Sequence, residues 1–302
     1  MQHLLFGLLT ALLFACTPGT DDENTGTPKI SFRYAFDTQQ ERLDNFGNPS
    51  TIPAGHAAQT PDFEKLSVHV IDLSPDQFTP YLQGASVYRG AETTRTGVTA
   101  IDFDEAVVAE AGAIIHEMDL SEIPPGTYEY VRVSVSFQQY GLRYNINNLP
   151  VIGDLNQQRG TVASFLGYNT YIGSVQPKEL SLDVDDDKPQ GFWVFETELD
   201  DPYGSYDQIS SGEAAGTTVV NPIAASSPIP PGSCVVTGKF AEPLVITGTE
   251  TEDLEVTLSF SINNSFEWKD PNGNGEWDFY ADDPSASEQV VDMGLRGLIP
   301  SY

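Results

Sequence analysis

Two short stretches place residue types at spacings that can do chemistry. Asp270 to Asp278 reads DPNGNGEWD, with side-chain oxygens at Asp270, Asn272 and Asn274 and then Gly275. That order matches the first half of an EF-hand-type loop, which wraps a hard cation such as Ca²⁺ in oxygen ligands and needs glycine for its sharp turn. Glu276 would add its backbone carbonyl, and Asp278 falls where a direct or water-bridged ligand is expected. Ala281 stands where a bidentate acid normally closes such a loop, so Asp282 or Asp283 is the substitute if the chain leaves without a helix. The same residues also suit an Asn-Gly hairpin turn without an ion. In either case the role is structural.

The second stretch is Leu13-Phe14-Ala15-Cys16, which ends the apolar run Leu4 to Phe14. A small residue followed by cysteine reads as a lipobox, where a signal peptidase cuts and Cys16 is diacylated. The run is about half the ~20 residues a helix needs to cross a bilayer, so it reads as the core of a signal peptide over 1–15. Met1, Gln2 and His3 carry no Lys or Arg, although such leaders normally begin with a basic residue. Residues 16–28, TPGTDDENTGTP after the cysteine, are polar and bear Pro and Gly, which suits a flexible lipidated tether.

The charge balance excludes several partners. Lys+Arg 14 against Asp+Glu 44 gives a net charge of -30, all of it after Cys16. Such a surface repels phosphate backbones and anionic headgroups, which argues against nucleic acid and against electrostatic membrane docking. Membrane attachment then falls to the acyl chains. Bound divalent cations would offset part of the self-repulsion. With Cys16 consumed by lipid, Cys234 has no partner for an intramolecular disulfide and reads as a small buried hydrophobe in GSCVVTGK.

These residues must be positioned by strands. KISFRYAF alternates Ile30, Phe32, Tyr34 and Phe36 against smaller or polar neighbours, the period of a half-buried strand. EKLSVHVIDL, TYEYVRVSVSF, GFWVFETEL, GSCVVTGKF, PLVITG and LEVTLSFSI read alike, with Gly-Pro turn clusters between them. Only Asp104 to Ala113 has a helical rhythm, and it fits a strand nearly as well. The expected fold is therefore all-β, an antiparallel β-sandwich over 29–302 with long loops and little helix. The Gly-, Ser-, Ala- and Pro-rich segment 201–232 reads as a long loop. The apolar tail EQVVDMGLRGLIPSY reads as a docked last strand.

Other candidates have bland readings beside sharp ones. Asp183, Asp185, Asp186 and Asp187 suit a solvated turn, although Asp183 and Asp185 on one strand face could share a cation. Trp193, Trp268 and Trp277 suit core packing, or a stacking platform for a glycan. No GxSxG elbow, phosphate loop, GxGxxG or HExxH is present, so the reading is non-enzymatic. A glycoside hydrolase needs only two carboxylates, and the sequence favours no pair.

The leader and tether resemble those of Gram-negative outer-membrane lipoproteins. In some bacteria that display such proteins on the cell surface, an acidic cluster soon after the cysteine belongs to the export signal, and Asp21, Asp22 and Glu23 look like one. Thr17 rather than Asp follows the cysteine, so the usual inner-membrane retention signal is absent. The order of a strand carrying His69, then IPPGTYEYVRVSV, FLGYNTYIG and GFWVFE, resembles the methanobactin-associated copper-binding proteins, which are exported β-sandwiches. That resemblance implies copper with His69 as a ligand, and His56 and His116 as further candidates. The chain departs from the pattern in lacking a tryptophan beside Tyr168-Asn169 and a histidine after GFWVFE. The sequence thus predicts an exported lipid-anchored protein that binds a glycan or protein, with copper handling as the alternative.

Overall fold

The alternation in KISFRYAF is realised as the strand Lys29–Asp37, with Ile30, Phe32 and Tyr34 fully buried. The computed structural model describes residues 26–80, 83–214 and 234–302. The leader 1–15, Cys16 and the tether as far as residue 25 lie outside the described residues, as does 215–233. Apart from three single-turn 3-10 segments, every regular element described is a strand. The all-β expectation therefore holds.

The organising strand is Gly126–Leu149, long enough to serve two neighbours in succession on one edge. Its first half pairs with Cys234–Ile246 and its second half with Gly153–Phe165. Asp62–Ser74 runs along its other edge. The eight-stranded sheet continues through Gly153–Phe165 to Phe192–Asp201 and Gly204–Glu213, and curls into a half-barrel. A four-stranded sheet, ordered Gly297–Ser301, Leu254–Ser261, Lys29–Asp37 and Ile114–Asp119, forms the second layer. One apolar cluster joins the layers, with Ile30, Phe32, Val256 and Leu258 against Leu66, Val131, Val133 and Val236. Most pairings are antiparallel, but Lys29–Asp37 meets Leu254–Ser261 in parallel.

A three-stranded sheet of His56–Gln59, Phe266–Lys269 and Val290–Met293 packs on the eight-stranded sheet, with Phe266 and Trp268 against Tyr140, Leu142 and Val162. The tail is docked as expected, as the strands Val290–Met293 and Gly297–Ser301, with Leu295 in their connection and Leu298 in the second strand both buried. Cys234 is a free, fully buried thiol whose pKa is pushed up by burial.

Three local expectations change. The helical rhythm of Asp104 to Ala113 gives only the 3-10 turn Phe103–Glu105, after which Ala109 bridges to Leu66. The aspartate cluster lies within the strand Leu182–Pro189 rather than in a turn, because Asn169–Val175 supplies its backbone partners. The carboxylates there have separate donors: Tyr171 Oη for Asp185 at 2.6 Å and Lys188 Nζ for Asp186 at 2.9 Å. Finally, 201–232 is not loop throughout, since Gly204–Glu213 is an edge strand in register with Phe192–Asp201. A turn fixes that register, with Asp201 Oδ1 accepting from the backbone N–H of Tyr203 and Gly204. Its sequence hid the strand because an exposed edge need not alternate.

Asp72 makes the sheet pH-sensitive. Its carboxyl is 2% exposed, and burial raises its pKa to about 6, a rise that Ser86 and the Arg132 charge only partly oppose. A raised carboxyl pKa means the folded state holds the proton longer than the unfolded chain, so this contribution to stability falls as pH rises from about 4 to about 6. Asp72→Asn removes it, by about 3 kcal/mol for a two-unit shift. Urea midpoints from pH 4 to 7 should therefore decline relative to the variant; parallel curves would contradict this.

Candidate functional site

The strand Phe192–Asp201 builds the site because both its faces are apolar. Phe192 and Val194 point into a cluster with Phe137, Ala163 and Phe165. The alternate residues Trp193, Phe195, Thr197 and Leu199 face the other way and line a cavity of about 590 Å³. Tyr144 and Ile146 on the long strand and Gln208 and Ser210 on the edge strand continue the wall. The three-stranded sheet supplies Phe266, Val290 and Met293 opposite. Among the described residues, the lining is mostly carbon and holds no Asp, Glu, Lys or Arg. Its size falls within the ~300–1,000 Å³ of small-molecule sites.

Aromatic rings frame one end. Trp277 lies 5.0 Å from Phe266, 6.0 Å from Tyr144 and 6.3 Å from Phe195 between ring centroids. Burial pushes the Tyr144 hydroxyl up to about 12. The tryptophans noted in the sequence therefore divide. Trp268 is 1% exposed in the core, whereas Trp193 and Trp277 face the cavity.

Trp277 belongs to the Asp270 to Asp278 loop, which forms the cavity's flank. Asp270 accepts from the backbone N–H of Gly273 at 2.8 Å and of Gly275 at 3.0 Å. Gly273 and Gly275 both have positive φ, at 70° and 76°, which glycine adopts without strain. The Asn272 and Asn274 amides donate to Asp278 Oδ2 at 2.7 and 2.8 Å. Burial raises the Asp278 carboxyl, but amides of Asn145, Asn272, Asn274 and Asn147 outweigh it and hold the pKa below the usual range. The Glu276 side chain accepts from the amides of Asn145 and Gln157 at 2.6 and 3.1 Å, and the same Asn145 nitrogen donates to Asp278 Oδ1. Asp282 accepts from Asn148 at 3.0 Å.

The acid that meets the loop is Glu288, which the sequence reading did not single out. Its Oε2 accepts from Asp278 N–H at 2.9 Å, its own N–H donates to the Asp278 carbonyl at 3.0 Å, and its carbonyl accepts from Trp277 Nε1 at 3.3 Å. Burial, and then the nearby Asp278 and Asp270 carboxylates, push Glu288 up to about 7. No pattern marks this contact in the sequence, because a turn, the strand Asp278–Tyr280 and a 3-10 segment separate Glu288 from Asp270.

The three histidines lie on separate strands with separate partners. His56 Nδ1 stands 2.5 Å from Glu267, His69 Nε2 stands 3.0 Å from Glu92, and His116 packs on Tyr88 at 5.1 Å. Burial lowers the pKa of His69 and of His116. Among the described residues, no group of three or more His, Cys, Asp or Glu could hold a metal by those side chains alone. Calcium loops draw much of their ligand set from amide and backbone oxygens, which that donor set leaves out. No protein-family profile, curated protein or solved structure matches the chain.

Proposed function

We propose that the chain is an exported lipoprotein, anchored in the outer membrane through Cys16 and displayed at the cell surface, that holds a neutral, largely apolar small molecule. The observation that carries the binding half of this reading is the uncharged cavity beside Trp193 and Trp277, in a chain whose net charge is -30. Excluding charge from that wall makes sense for a ligand whose carbon surface leaves water there. Trp193 and Phe195 offer flat faces to it, and Gln190, Gln208 and Gln289 offer polar atoms that can orient it. The anchoring half rests on the lipobox and the acidic tether.

The test is fluorescence titration of the full chain in detergent with N-phenyl-1-naphthylamine, a neutral apolar probe. One saturable site per chain is expected. Ser210 lies on the exposed edge strand and lines the cavity, so Ser210→Trp fills the space without disturbing a core. That variant should bind at least about tenfold more weakly, or about 1.4 kcal/mol, at an unchanged melting temperature. Absence of a saturable site, or binding indifferent to Ser210→Trp, would overturn the proposal. Binding of a soluble oligosaccharide in its place would point to a glycan.

A further inference from the structure

We propose that Asp270, Asn272, Asn274, Asp278 and Glu288 form one Ca²⁺ site, closed by Glu288 in place of the acid missing at loop position twelve. The claim is separate from the cavity reading. It rests on what this corner of the protein leaves uncompensated. Glu288 is 6% exposed, and its Oε1 has no hydrogen-bond partner although its Oε2 is held against Asp278. Asp270 and Asp278 are buried beside it. Among the described residues, none of these carboxylates forms an ion pair with Lys, Arg or His.

Other buried carboxylates with a bare oxygen, Asp102 and Asp292, have an arginine beside them, and Asp72 has the Arg132 charge nearby. Glu267 and Asp292 have Arg42 and Arg296, and Glu196 has backbone N–H groups. Buried charge is stable only when paired or coordinated, and here three buried carboxylates share one corner with neutral donors on Asp270 and Asp278, no counter-ion among the described residues, and a bare Glu288 Oε1, which calls for a cation. The side-chain oxygens at this corner belong to carboxylates and to asparagine amides that also accept backbone N–H groups, with no sulfur or imidazole. Such a set selects a hard ion, and the adaptable geometry of Ca²⁺ suits ligands drawn from two separate segments better than rigid octahedral Mg²⁺ does. Asp282, the sequence-based substitute, is engaged with Asn148 instead. Because the Glu288 carbonyl holds Trp277, the ion would also fix the cavity's aromatic flank.

The experiment is calorimetric titration of the full chain with CaCl₂, paired with thermal unfolding in Ca²⁺ and in chelator. One ion per chain and a melting temperature several degrees higher in Ca²⁺ are expected, since an ion bound only by the folded state stabilises it. Glu288→Gln should weaken binding at least about tenfold. In chelator it should melt no lower than wild type, because it removes one uncompensated charge. A purely structural glutamate would instead lower the melting temperature in both conditions. Asp270→Asn should also lose binding, and Asp282→Asn should keep it. The proposal is overturned by a wild-type chain that binds no Ca²⁺, by Glu288→Gln that binds normally, or by loss of binding in Asp282→Asn. None of these readouts uses the apolar probe, so an empty cavity and an empty ion site are told apart.

Discussion

Glu267→Ala should lose about 3–5 kcal/mol of stability, the cost of stripping the partner from a buried charge. Glu267 is 4% exposed on the strand Phe266–Lys269, and its carboxylate meets Arg42, which is 6% exposed, together with His56 at 2.5 Å. Arg296 stands 3.7 Å away and pairs with Asp292 on the next strand. This group ties the chain around Arg42 to the three-stranded sheet that faces the cavity. Removing Glu267 leaves the Arg42 guanidinium buried without its carboxylate, and domains have only about 5–15 kcal/mol to lose. Pairing Glu267→Leu with Arg42→Met should recover much of that loss, because apolar replacement of a whole buried pair is often neutral. Urea denaturation of the single and double variants checks this. Equal losses for Glu267→Leu alone and for the double variant would mean the pair is not coupled.

The second large effect is expected at Glu196. This side chain is fully buried on the face of Phe192–Asp201 opposite the cavity, and it accepts from the backbone N–H of Lys178, Glu179 and Leu180 at 2.9, 2.9 and 3.1 Å. One carboxylate thus holds the turn that leads into Leu182–Pro189. Hydrogen bonds to a charged acceptor contribute about 1.5–3 kcal/mol each, and buried donors left without one carry a further cost. Glu196→Ala should therefore destabilise by about 4 kcal/mol after partial relaxation. Glu196→Gln keeps one carbonyl oxygen and should lose roughly half as much. Amide exchange at 178–180 should accelerate far more than exchange in the long strand; uniform acceleration would show the loss is global.

These two carboxylates show where the sequence stops being legible. Strand identity was readable wherever one face is buried, as in KISFRYAF, because burial imposes a period of two on side-chain type. The same period hid Glu196, which shares a face with Phe192 and Val194 yet would be placed in solvent by residue type alone. Gly204–Glu213 was unreadable because its partner strand, not its own apolar pattern, makes it a strand. The Asp270 to Asp278 turn could be found from residue spacing within one segment. Glu288 could not, because it meets Asp278 only through the fold of the intervening chain. The tryptophans were recognisable as binding candidates by type, but which of them face a cavity depends on how the half-barrel curls.

The central claim, that a neutral apolar ligand fills the cavity lined by Trp193 and Trp277, is tested most directly by contact quenching with a brominated alkane. Bromine quenches tryptophan only at van der Waals range, so titration of the full chain with 1-bromodecane reports which indoles touch the ligand. Wild-type emission should fall saturably at one equivalent. The double variant Trp193→Phe, Trp277→Phe keeps only Trp268, which is 1% exposed in the core, and its emission should stay constant. Absence of saturable quenching in the wild type, or equal quenching in the double variant, would contradict the account.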